Sequence, residues 1–235
     1  MKYTLLLFAF LICNNLIHAQ FGVTSGYRWN NAPNWKLESS AFSGGGDILG
    51  DGYSVGVDYW FRLKNYRVEF QPELNFSAFT NNISIGEVLW RDIDVQTYSF
   101  FFNTNLYLFD FMGDCDCPTF SKQGDAGKKG FFVQISPGVS YFKQEFSTPN
   151  ADFSDNSVAV SLGAGIGFDI GLTDLVTLTP LLGARYYPNV EWSTLADFGI
   201  ENAFSVRDTE TSLTQLFAGA RLGFRFDYQS NRRRR

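Results

Sequence analysis

The sequence predicts an all-β protein, an eight-stranded antiparallel transmembrane β-barrel. Three observations carry this: period-two alternation in eight stretches, connections that alternate between long and short, and a minority face of small residues with isolated charges. The chain has 235 residues, 45% hydrophobic and 18% charged, which suits one domain with a sizeable buried surface. Aromatic residues make up 17%, and 22 Gly accompany only 7 Pro, a mix that favours strands and turns over helices.

Residues 1–19 read as a secretory signal peptide, with Lys2, an apolar run from Thr4 to Cys13 and the exit Ile17-His18-Ala19. Cleavage there removes the sole histidine, His18, and changes the net charge from −5 to −6 because Lys2 leaves. The expected organisation is signal 1–19, barrel 20–228 and basic tail 229–235. No stretch reaches the about 18 consecutive apolar residues of a membrane helix. Without histidine, the Ser-His triads of membrane-barrel lipases and deacylases cannot form, so no enzyme activity and no cofactor are expected.

From Tyr53 to Leu63 every odd position is apolar, and the pattern resumes from Tyr66 to Ala78 after Lys64-Asn65, a two-residue hairpin link. It recurs at Tyr98–Leu108, Phe131–Tyr141, Val158–Leu172, Val176–Tyr186 and Leu216–Tyr228, with a weaker first strand at Phe21–Trp29. Each is long enough for a tilted strand to cross a bilayer. Long links (30–52, 80–92, 146–156 and 188–212) lie at one end, and short ones (Lys64-Asn65 and Thr173-Asp174) at the other. The link at 110–130 breaks this rule on the short side.

The minority face decides between a membrane barrel and a soluble one. A soluble barrel would show water a face rich in Lys and Glu, whereas Ser161, Gly163, Gly165, Gly167, Asp169 and Gly171 leave room for long side chains from across the barrel. Gly163 to Gly167 lies inside a strand with no helix after it, so it is no nucleotide loop. By phase, the lumen holds Arg28, Arg62, Arg67, Arg185, Arg221 and Arg225 against Asp58, Glu69, Glu73 and Asp169. An eight-stranded lumen is about filled by its side chains, so a salt-bridged plug is expected rather than a pore. Glu69 and Glu73 are read as partners of these arginines and not as an acid/base pair. Pro72, Pro137 and Pro180 recur in an apolar-polar-Pro-x-apolar pattern, each marking a bulge or an opened hydrogen bond.

Arg221, Gly223, Phe226 and Tyr228 fall at the spacing polar-x-Gly-x-x-aromatic-x-aromatic. This resembles the β-signal of outer-membrane barrels. Together with Gln71–Ser77, it makes the chain similar to the porin-like outer membrane protein β-barrel family. The resemblance implies a Gram-negative outer membrane, handling by the barrel assembly machinery, and contact with outer-membrane lipid and lipopolysaccharide. It implies little about activity.

The exceptional link contains Cys115 and Cys117, open to a disulfide, to free or partner-linked thiols, or to an incomplete metal site. Its Lys122, Lys128 and Lys129, with the tail Arg232, Arg233, Arg234 and Arg235, form a candidate docking surface for a periplasmic or outer-membrane protein. The outer connections sum to −8 and the periplasmic elements to +2, which argues against nucleic acid as a partner. Asn34-Trp35 and Ser43–Gly46 read as flexible loop segments. The leading expectation is a non-enzymatic barrel that binds envelope partners, as an accessory subunit of a secretion or assembly complex or in envelope integrity. The alternatives are a narrow porin for small solutes or ions, and a surface adhesin.

Overall fold

Alternation becomes a closed wall. The computed structural model describes residues 20–38, 46–62, 67–85, 89–108, 130–147, 152–173, 175–196, 205–206 and 208–225. Its strands are β1 (Gln20–Asn31), β2 (Lys36–Glu38), β3 (Gly46–Asp47), β4 (Gly52–Tyr59), β5 (Phe61–Arg62), β6 (Val68–Ile85), β7 (Leu89–Leu106), β8 (Phe131–Ser147), β9 (Asp152–Phe168), β10 (Ile170–Gly171), β11 (Val176–Glu191), β12 (Ser205–Val206) and β13 (Glu210–Arg225). Ten of them run in the order β10-β11-β13-β1-β4-β6-β7-β8-β9, with β5 on β6, and the β9–β11 pairing closes the ring. Because β4 and β5 form one stave broken at Trp60, and β9 and β10 one broken at Asp169, the barrel has eight antiparallel staves. Following the register from Phe21 around the ring, across two open rungs, returns to β1 at Asn31, a stagger of ten residues that closure requires.

The outward face is apolar and banded. Near the end that carries Gln20 and Arg225, rings form a chain through Phe21–Tyr59, Tyr59–Phe61, Phe61–Phe70 and Phe70–Phe102, with centroids 5.5–6.3 Å apart. Near the other end stand Tyr27–Trp29, Tyr27–Tyr53, Phe76–Tyr98 and Tyr98–Tyr141. One pleat beyond Tyr98–Tyr141–Val158 the outward row turns polar, as Gln96–Lys143–Asn156, with Lys143 bound to Glu145 at 2.5 Å. Two aromatic girdles around an apolar belt are what a bilayer's two interfaces select. Leu162, 60% exposed near the middle of this belt, should report it: Leu162→Arg is expected to cost about 2–4 kcal/mol in urea titrations of the vesicle-inserted protein.

Beyond the outer girdle the strands continue, contrary to the expected loops at 80–92 and 146–156. β6 and β7 stay paired to Ile85–Leu89, and β8 and β9 to Ser147–Asp152. The physical reason is a reversal of phase. Within the belt apolar side chains point to lipid, whereas above it Phe79, Ile93, Val95, Phe142, Phe146, Tyr187, Val190 and Leu213 point inward. In the described parts of the connection after β1, β2 pairs with both β3 and β12, and Trp35 is fully buried rather than part of a flexible loop.

The three prolines open rows without shifting register. Pro72 faces the break at Tyr59–Trp60, Pro137 the unpaired Phe102–Asn103, and Pro180 the break at Phe168–Asp169. Proline has no N–H to donate, so one rung is skipped and pairing resumes unchanged. The bulge lies elsewhere, between Tyr187 and Val190 on β11, at Pro188-Asn189.

Candidate functional site

The lumen is built in layers. In the half nearer the termini, Arg221 grips Asp58 with two bonds, Nε to Oδ2 at 2.7 Å and Nη2 to Oδ1 at 2.5 Å, and both side chains are essentially unexposed. Gly22 lies against this pair, where any Cβ would collide with Asp58 Oδ2 and the guanidinium. Trp60 sits 6.0 Å from Arg221 Cζ. Asp169 accepts hydrogen bonds from Tyr107 at 2.8 Å and from Thr179, the residue across the row that Pro180 opens. Ser136 likewise donates to Asn103 across the row opened by Pro137. Gly130, at φ +112°, is in the left-handed region, and its carbonyl accepts from the Asp169 N–H.

Above lies a middle layer of amides and hydroxyls around three charges. Arg28 donates to Gln215 (3.0 Å) and Asn75 (3.1 Å), and Arg185 to the Ser136 hydroxyl (2.6 Å), the Ser136 carbonyl and Ser161. Glu73 accepts from Asn75 (2.8 Å) and Asn103 (2.7 Å). Both guanidiniums stand against the Phe101 ring, with Cζ at 5.6 Å for Arg28 and 3.4 Å for Arg185. A cavity of about 50 Å³ opens among these groups.

The top layer is mainly apolar. Trp35 and Trp192 cross edge to face at 5.5 Å and pack with Ile48, Leu49, Leu195 and the inward aromatics into one apolar cluster across the outer mouth. The turn that delivers Trp192 is pinned by Asp155, whose carboxylate accepts from Ser193 N (2.6 Å), Ser193 Oγ (2.7 Å) and Thr194 N (3.3 Å). Burial works to raise this carboxyl, but the bonds from Ser193, Asn156 and Thr194 outweigh it and hold the group below the ordinary aspartate range. A depressed carboxyl contributes stability that is complete above its unfolded pKa and lost as pH falls through its folded one. Acidification through that window should loosen the 192–196 turn and shift tryptophan emission. In Asp155→Asn that pH-dependent shift should be absent.

Several expectations change. The expected salt-bridged plug is mostly a network of neutral spacers: among the described residues, Arg28, Arg185 and Glu73 form no ion pair, because Asn75, Asn103, Gln215 and Ser136 stand between them. Arg67 has the lumenal phase but is exposed at the barrel rim, since it precedes the first ladder residue of β6. Gly163 and Gly167 do make room for long side chains, but for Arg185 and Phe132, their direct partners on the adjoining strands, rather than for side chains from across the barrel. Of the assembly signal, Arg221 and Gly223 lie side by side on the lumenal face of β13. The side chains of Arg62 and Arg225 lie outside the described residues, as do residues 1–19, Cys115, Cys117, Lys122, Lys128, Lys129, Phe226, Tyr228 and Arg232–Arg235. The apolar plug was missed; its signal was the shift of apolar residues to the other phase, as from Tyr98 to Val95 and from Tyr141 to Phe142.

A closed barrel with a lipid-facing belt between two girdles defines an outer-membrane β-barrel protein. No family model matches the chain, and no curated protein matches it. Among solved structures it is similar to Ail, the attachment invasion locus protein of Yersinia pestis, at 13% identity and TM-score 0.45 over 88% of this chain and 99% of that one. It is also similar to Neisserial surface protein A (13%, TM-score 0.42, 87% and 96%) and to OprG from Pseudomonas aeruginosa (12%, TM-score 0.37, 88% and 96%).

Proposed function

We propose that this is a non-catalytic, non-conducting barrel that binds envelope partners through its two ends, as an accessory subunit of an outer-membrane secretion or assembly complex or in envelope integrity. The observation that carries this reading is the apolar plug over a lumen filled by side chains. A permeating ion needs polar partners or water along its whole path, and the Trp35–Trp192 cluster presents apolar side chains to it. The same cluster gives the described part of that end a packed core, suited to present a binding surface. Its acidic connections suit divalent cations that bridge to lipopolysaccharide. The 110–130 segment and the basic tail supply the opposite docking surface.

Gentle solubilisation and pull-down mass spectrometry test this, with planar-bilayer recording on the same sample. The expected result is a stoichiometric envelope partner, depleted when 113–129 and the last four arginines are deleted, with no steady conductance. Unchanged co-purification, or a steady conductance that responds to Glu73→Gln, overturns it.

A further inference from the structure

The middle-layer cavity has a charge that its walls do not balance. Two guanidiniums, Arg28 and Arg185, border it, and the single carboxylate on its wall, Glu73, has each oxygen taken by an asparagine amide. Arg28 Nε and Thr24 Oγ1 are buried with no hydrogen-bond partner, and both residues line the cavity. A buried charge without counter-charge is costly, and an orphaned donor adds to that cost. Water can bond to the donors but brings no charge.

We propose that this cavity holds one small monovalent inorganic anion, of the halide class, as the counter-ion of Arg28 and Arg185. Size sets the class: about 50 Å³ takes a few water-sized occupants, so a monatomic anion with a water or two fits, while a sugar or a nucleotide does not. Sign excludes the opposite choice. Two cations face one carboxylate here, and among the described residues no group of three or more His, Cys, Asp or Glu is placed to hold a metal ion. Position ties the ion to the lumen: the apolar plug lies above it and the Arg221–Asp58 pair below.

Bromide is the probe. The full chain, refolded in sodium bromide and crystallised, should show an anomalous peak in the cavity within hydrogen-bonding reach of a guanidinium. In solution, the melting temperature should rise with the logarithm of chloride or bromide concentration, against sodium gluconate at matched ionic strength, because gluconate is too large to enter. Arg28→Gln risks misfolding, so Thr24→Glu is the informative variant: it supplies a carboxylate from the cavity wall, and should fold in gluconate and lose the halide response. Bromide at surface sites only, equal melting temperatures in the two salts, or a Thr24→Glu protein with the wild-type halide response would each overturn the assignment.

Discussion

Asp58→Asn should destabilise the barrel by about 3–5 kcal/mol, because it removes the charge that Arg221 was folded around and leaves a guanidinium buried without its partner. The asparagine is nearly the same size, so packing does not explain the loss. It keeps an acceptor for one bond, while its amide N–H₂ replaces the second acceptor with a donor facing a donor. The measurement is equilibrium unfolding in urea with the protein in lipid vesicles. The double variant Asp58→Asn with Arg221→Met should recover a large part of the loss, since breaking a buried pair costs more than replacing it. If Asp58→Asn alone proves neutral, the pair does not organise the lower lumen.

Trp192→Ala should cost about 3–5 kcal/mol, the range for deleting a large side chain from a closed core. Trp192 is fully buried, lies edge to face with Trp35, and stands beside the turn that Asp155 anchors. Its loss removes the centre of the plug while leaving the lipid-facing belt untouched. The outer connections should then become cleavable by protease added outside vesicles, while the membrane-embedded staves remain protected. A variant as resistant as wild type would show that the outer head holds together without the cluster.

The barrel was legible because lipid enforces a strict rule. Positions such as Tyr53, Val55 and Val57 must be apolar, and Ser54, Gly56 and Asp58 need not be, so alternation survives in the sequence. Outside the belt that rule reverses. From Val95 to Tyr98 and from Tyr141 to Phe142 the apolar phase changes sides, and a reading tuned to one phase stops at the reversal and reads loop. The lumen was legible in membership but not in pairing. Phase places Arg28, Arg185 and Glu73 inside, yet only the register shows Glu73 beside Phe101 and Asn103 close enough to take the Glu73 charge. Pro72, Pro137 and Pro180 were legible as ladder defects because a missing N–H acts locally, wherever the strand lies.

Those skipped rungs fall on three seams, β4/β5 to β6, β7 to β8, and β9/β10 to β11, while β6–β7, β8–β9 and β13–β1–β4 pair without interruption and β11–β13 is interrupted only by the bulge at Pro188-Asn189. The wall is therefore three panels, two of two staves and one of four, and each joint lies on a seam closed by a connection at the end that carries the termini. The outer rim is knit by hairpins and the plug, and the opposite rim by interrupted ladders. Strain on the cylinder should open it like a tulip from the end that carries the termini. Amide exchange at Tyr59, Phe102 and Phe168, the residues opposite the three prolines, should then run ahead of exchange at matched depth within the panels.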